Sequence, residues 1–197
     1  MFNQNEIKTE IDSAKKESLV DFVKEILGFA LITIAIVLPV RLFIAEPYIV
    51  SGSSMEPTFY TNDYLIVDRI SLRFTDVKRG EVLILRHPQR KGEYLIKRVI
   101  GLPGDTISMK DNKITISNSS NKDGFDLDQS YIENKAIGSF STVLGSDQYF
   151  VLGDNRPRSA DSRIWGNFSK ADIIGRPLIR LIPVTEIGLY PGDHSKK

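Results

Sequence analysis

Residues 93–105 read EYLIKRVIGLPGD, a run of strand-forming residues closed by a Gly-Leu-Pro-Gly turn. In an extended strand side chains alternate between two faces, so Leu95, Lys97 and Val99 share one and Ile96, Arg98 and Ile100 the other. Similar short runs recur from Tyr48 onward: PYIV (47–50), YLIVDRI (64–70), EVLIL (81–85), KITIS (113–117), QYFVLGD (148–154) and PLIRLIP (177–183). Gly, Pro, Asn and Asp separate them, as strand boundaries require. Few segments after residue 50 carry a helical period and no internal repeat is evident, so this part of the chain is predicted to be mostly β. Residues 117–130, SNSSNKDGFDLDQS, are polar and have little to bury, which suits an exposed loop or hairpin extension. They divide the β domain into a core of 46–105 and 148–190 and a small insertion at 106–147, with 191–197 as a tail.

Before this domain comes a different pattern. Ile26 to Val40 contain no charge, and Leu42 to Ala45 extend the run past Arg41 to 26–45. About 20 apolar residues in a helix span a hydrocarbon core of about 30 Å. Arg41 sits near one end, where its side chain can reach headgroups, and Pro39 does not prevent insertion. Lys8, Lys15, Lys16 and Lys24 precede the run, whereas 42–60 contain no Lys or Arg. Positive flanks stay inside, so residues 1–25 are expected in the cytoplasm and the β domain outside it. The flanking sequence RLFIAEPYIV offers no convincing cleavage site, and the anchor is read as retained.

Composition narrows the chemistry. In 197 residues, 26 Lys and Arg face 25 Asp and Glu, a formal charge of +1 with no basic stripe, which argues against nucleic acid as a partner. The absence of cysteine excludes disulfides, thiolate metal sites and a cysteine nucleophile. His87 precedes a proline and His194 lies in a polar tail, so both read as solvated surface residues and a Ser-His-Asp arrangement is not supported.

Three segments could carry reactions. SGSSMEPTF (51–59) can hold a hydroxyl on a rigid bend between Gly52 and Pro57, or be an ordinary Ser-rich turn. Lys97, in apolar company, can serve as a base if burial removes its charge. A shift from about 10.4 toward neutrality costs on the order of 4 kcal/mol. The competing reading makes Lys97 solvent-facing and Arg98 the buried residue. LGDNRPRSADSRIWG (152–166) follows an apolar run and suits a tight polar loop in which Asp161 pairs with an arginine. It could equally be a surface turn held by its own ion pairs, and as a metal site its two Asp residues are sparse.

Anchor and segments together resemble the type I signal peptidases, membrane enzymes that remove signal peptides from secreted proteins. The likeness covers nearly the whole chain: an N-terminal anchor, then SGSSMEPT, KRVIGLPGD and GDNRPRSADSR. It implies Ser54 as nucleophile and Lys97 as general base. It further implies that Ser159 hydrogen-bonds the lysine, that Asp161 and Arg163 form a supporting ion pair, and that Gly153, which opens the third segment, belongs with them. Val50 and Ile96 would line small substrate pockets. Gly52 departs from family members that carry a serine there to help bind the oxyanion, leaving that task to backbone N–H groups, Ser54's included. Asn62 and Glu81 occupy variant positions, and the insertion is short for the family.

The fold so implied is mostly β: one transmembrane helix, then an extracytoplasmic, β-barrel-like catalytic domain with a small β insertion. The implied activity is endoproteolysis of membrane-tethered preproteins at small-x-small sites, at a cell membrane crossed once, with the lipid bilayer as the other partner and no cofactor or metal. Two alternatives share some of these features: a self-cleaving Ser-Lys regulator, against which the anchor argues, and a non-catalytic membrane-anchored β module, against which the intact Ser54 and Lys97 argue.

Overall fold

The computed structural model describes residues 4–39, 45–111, 113–134 and 138–195. The chain divides into two compact units, Met1–Ile44 and Ala45–Lys197. In the first, helix α1 runs Gln4–Pro39, taking in much of the segment that sequence left without structure before residue 26. From residue 21 onward its large apolar residues are exposed around the helix, among them Phe22, Ile26, Phe29, Leu31, Ile34 and Val37. Among the described residues no helix is long and apolar enough to cross a membrane. The expected span 26–45 also includes residues 40–44, which lie outside the described residues. Ala45, expected to close the span, instead opens a strand and pairs with Asp68.

The second unit is mostly β, and its large sheet is half-barrel-like. The strands are β1 (Ala45–Ile49), β2 (Tyr64–Asp68), β3 (Val82–Arg86), β4 (Tyr94–Gly101), β5 (Thr106–Lys110), β6 (Lys113–Asn118), β7 (Asn121–Asp126), β8 (Ser139–Val143), β9 (Gln148–Leu152), β10 (Phe168–Ser169), β11 (Ile173–Ile182) and β12 (Gly188–Leu189). The large sheet follows the order β1-β2-β11-β3-β4-β9-β10, with β12 on β11, and ends in open edges rather than closing as a barrel. A second sheet, β7-β6-β5-β8, lies within 106–143, and the polar residues 117–130 hold the end of β6, all of β7 and the segment after it.

Central strands are buried on both faces. On β3, Val82 and Ile84 enter a core with Val50, Met55, Phe59, Leu65 and Val67. Leu83 and Leu85 enter another, with Val99, Tyr149 and Val151. A third core joins the sheets: Ile100, Phe150 and Leu152 from the large one meet Ile107, Ile114 and Ile116 from the small one.

Strand β11 holds the large sheet together because it pairs twice. Its start pairs with β3, Gly175 facing Ile84, and the rest with β2 from Arg176 facing Asp68. At the changeover a Cβ on Gly175 would press into the Asp68 carbonyl and come within 2.8 Å of Val67 Cγ1. Backbone cannot yield as a flexible side chain would, so Gly175→Ala is expected to cost about 1–3 kcal/mol by overpacking. Urea denaturation checks this, and an unchanged midpoint would contradict the tight crossing.

Candidate active site

Between β1 and β2 the chain makes a compact loop closed by Val50 N–H to the Asp63 carbonyl and Asn62 N–H to the Val50 carbonyl, each at 2.9 Å. Met55 and Phe59 sink into the core beside it, and Phe59 N–H reaches the Met55 carbonyl at 3.0 Å. These anchors fix Ser54, immediately before Met55. Gly52 takes a φ of +92°, which a side chain would disfavour, and its N–H donates to Thr61 Oγ1 at 3.1 Å. The Ser54 N–H takes no part in the hydrogen bonds of this loop.

Lys97 on β4 meets the loop. Its Nζ donates to Ser54 Oγ at 2.7 Å and to the Ile96 carbonyl at 2.9 Å. Only 2% of Lys97 is exposed. Burial pulls the amine from the usual 10.5 down to about 8, although the Asp161 and Asp154 carboxylates act the other way. Desolvation is the larger effect and outweighs both.

Asp161 is fully buried, accepts from the Gly153 N–H at 3.1 Å and grips Arg163 through Nε and Nη2, both at 2.8 Å. Arg163 Nη2 also donates to the Arg156 and Ser159 carbonyls at 2.7 and 3.3 Å, tying the loop to itself. Asp161 caps the short helix α2 (Ser162–Trp165). Gly153 lies against the Ser54 loop: a Cβ there would collide with the Ser54 carbonyl and Ser159 Oγ, and would lie 2.5 Å from Ser159 Cβ. The Asn155 N–H holds the same Ser54 carbonyl at 3.0 Å.

A cleft of about 210 Å³ opens beside the pair, lined by Tyr48, Val50, Ile84, Tyr94 and Ile96, with Ser54 and Lys97 in its wall. A hydroxyl beside a desolvated amine at the edge of an apolar cleft is equipped for nucleophilic attack on a bound chain.

Residues 22–182 match the family described as signal peptidase, peptidase S26. Signal peptidase I P of Bacillus subtilis subsp. natto is 37% identical over 188 residues, covering 89% of this chain and 96% of its own. Probable signal peptidase I-2 of Synechocystis sp. is 35% identical over 192 residues, with 94% and 85% covered. The chain belongs to the signal peptidase family, peptidase S26. It is a serine endopeptidase of the signal peptidase I type. A crystal structure of a signal peptidase I from Enterococcus faecalis aligns with a TM-score of 0.45 at 28% identity, covering 52% of this chain and 97% of that one.

In this peptidase the structure gathers Ser54, Lys97, Gly153, Ser159, Asp161 and Arg163, with Val50 and Ile96 in the cleft. Ser159 differs in its contact: its hydroxyl lies 3.5 Å from the Ala160 carbonyl, while the hydrogen bonds of Lys97 go to Ser54 and Ile96. Gly153 packs against Ser159 Oγ.

Lys97 and Arg98, weighed in sequence as alternatives for burial, are both buried. Arg98 pairs with Asp154 through Nε at 2.8 Å and Nη2 at 2.6 Å, and Thr58 Oγ1 donates to the same carboxylate at 2.5 Å. Sequence reading missed Asp154 and Thr58 as supports; an arginine beside a lysine among the apolar residues of β4 was the signal that a carboxylate had to meet it. The histidines are structural. His87 Nδ1 accepts from the Gln89 and Arg90 N–H groups, and His194, read as a surface residue, stacks on Tyr131.

Burying Lys97 costs stability in a definite pH window. Its folded pKa, about 8, lies below 10.5. Below pH 8 both states carry the proton and the fold bears a buried charge. Between about 8 and 10.5 the unfolded chain binds more protons, so stability rises with pH. Lys97→Met is therefore expected to be about 1–3 kcal/mol more stable than wild type at pH 7, with the gain fading by about pH 10. Urea melts at both pH values test it, and a pH-independent difference would argue against a depressed lysine.

Proposed function

We propose that Ser54 and Lys97 form the catalytic dyad with which this chain removes signal peptides from exported preproteins. The observation that carries the reading is the 2.7 Å contact between Ser54 Oγ and the buried Lys97 Nζ. With Lys97 neutral, Nζ takes the hydroxyl proton as Oγ bonds to the carbonyl carbon before the scissile bond. The C–N bond then breaks, the amine leaves with the proton, and an acyl ester remains on Ser54. Lys97 next activates a water, which cleaves the ester and restores the hydroxyl. The Ser54 N–H, uncommitted within its loop, supports the oxyanion, and Gly52 adds no hydroxyl. Asp161 with Arg163, Ser159 and Gly153 support the dyad.

The substrate lies extended along the cleft, with Val50 and Ile96 shaping pockets that admit small side chains at the first and third positions before the cut. Exposed apolar residues on the described part of α1 support its place in the expected membrane anchor, with residues 1–25, which carry Lys8, Lys15, Lys16 and Lys24, in the cytoplasm. The anchor keeps the site with membrane-tethered preproteins. By this division 46–105 and 148–190 form the catalytic domain and 106–147 the insertion.

In detergent, wild type is expected to cut a preprotein after the second Ala of an Ala-x-Ala site, and Ser54→Ala and Lys97→Ala to lose at least about a thousandfold in kcat while keeping their circular dichroism. The rate should climb with pH through about 8, where Lys97 gives up its proton. A folded mutant that still cuts would displace the dyad.

A further inference from the structure

Arg98 is reached by two parts of the chain remote from the dyad in sequence. The ring of Tyr131, on the segment between β7 and β8, lies 4.3 Å from its guanidinium carbon. The C-terminal residues arrive as well: the Gly192 carbonyl accepts from Arg98 Nη1, which also donates to the Gly80 carbonyl at 2.7 Å. The His194 N–H donates to that same Gly80 carbonyl at 3.4 Å. The His194 ring stacks on Tyr131, centroids 4.6 Å apart and planes 15° apart.

Glycines mark how closely this strap is seated. A Cβ on Gly80 would lie 2.9 Å from the His194 backbone, and one on Gly192 2.6 Å from Thr58 Cγ2. The segment carrying Tyr131 also grips the loop opposite Lys97. Gln129 Oε1 accepts from Arg156 Nη1 at 2.5 Å, and Arg156 Nε donates to the Gly153 carbonyl at 3.1 Å.

Arg98 is well placed to transmit this hold. It adjoins Lys97 on β4, and its partner Asp154 adjoins Gly153, which packs on the Ser54 carbonyl. We infer that Tyr131 and the C-terminal segment Tyr190–Ser195 form a clamp over Arg98 that positions Lys97 against Ser54. The inference rests on the dyad reading above and gives the insertion and the chain end a part in it.

Tyr131 shields the guanidinium from water, where its attraction to Asp154 would be screened. Without the ring and the strap, the Arg98–Asp154 pair loosens and β4 can shift against the 153–163 loop. A misplacement of about 1 Å between reacting groups can cost about a hundredfold in rate. Val50 and Ile96, in the cleft, take no part in the clamp, so binding is spared.

The test uses the full chain in detergent with an Ala-x-Ala preprotein, comparing Tyr131→Ala, Tyr131→Leu, Tyr131→Phe and a chain ending at Leu189. Tyr131→Ala, Tyr131→Leu and the shortened chain should lose about 10- to 100-fold in kcat with KM within about twofold, while Tyr131→Phe, which keeps the ring, stays near wild type. In parallel, the Lys97 Cε resonance is titrated by NMR. Its midpoint should move upward in the impaired variants as water gains access. Tyr131→Leu fills most of the vacated space and decides the matter if Tyr131→Ala or the shortened chain does not fold. A folded Tyr131→Leu with wild-type kcat and an unchanged Lys97 midpoint overturns the clamp. If wild type cuts no preprotein, the functional reading fails, and the Lys97 titration alone decides this one.

Discussion

A primary amine held away from water is the constraint on which the site depends. Lys97 cannot be both buried and charged without a cost, and burial lowers its pKa against the opposing pull of Asp154 and Asp161. Each of these carboxylates has an arginine of its own, Arg98 for Asp154 and Arg163 for Asp161. The pairing offsets part of the upward pull that they still exert on the amine. Bare carboxylates at the same places would return the amine to its ammonium form, in which it holds a proton rather than taking one. The two ion pairs therefore act through what they withhold from the lysine as well as through the backbone they fix.

That backbone is fixed by close contact. Ser54 sits between side chains sunk in the core, Val50 and Met55, while its carbonyl is held by the Asn155 N–H and pressed by Gly153. The Ser54 loop and the 153–163 loop thus share a backbone hydrogen bond and a contact with no room for a side chain. Strand β4 brings Lys97 to this junction, packed between β3 and β9 with its inner residues buried on both faces. The half-barrel supplies rigidity where three chain segments meet.

How much of this could be read in the sequence follows from the range of each interaction. Strands were legible because their signal is local, the alternation and β-branching of runs such as YLIKRVI and QYFVLGD. The polar run 117–130 marked the β6–β7 hairpin for the same reason. The segments SGSSMEPT, KRVIGLPGD and GDNRPRSADSR, which the fold brings together, stood out as a set, through resemblance, although no one segment carried enough by itself. What stayed hidden depends on register and distant packing. Spacing does not say that Arg98 meets Asp154 or that Ser159 Oγ points toward the Ala160 carbonyl, and nothing local in Tyr131 or His194 announces a stack between residues 63 positions apart. The polar tail read as a solvated end because its contacts are made largely by backbone, the Gly192 carbonyl and the His194 N–H, which composition does not reveal.

The cleft ties recognition to stability. Val50, Leu65 and Ile84 line it, yet all three belong to the core that also holds Met55 and Phe59. The wall of the cleft is thus the outer side of the packing that seats Ser54. A pocket built this way is small because the core behind it is full, and enlarging it would remove methyl groups from the support of Ser54. On the proposed function, a preference for small side chains and the rigidity of the serine loop would have one physical origin, and a change in one would carry a cost in the other.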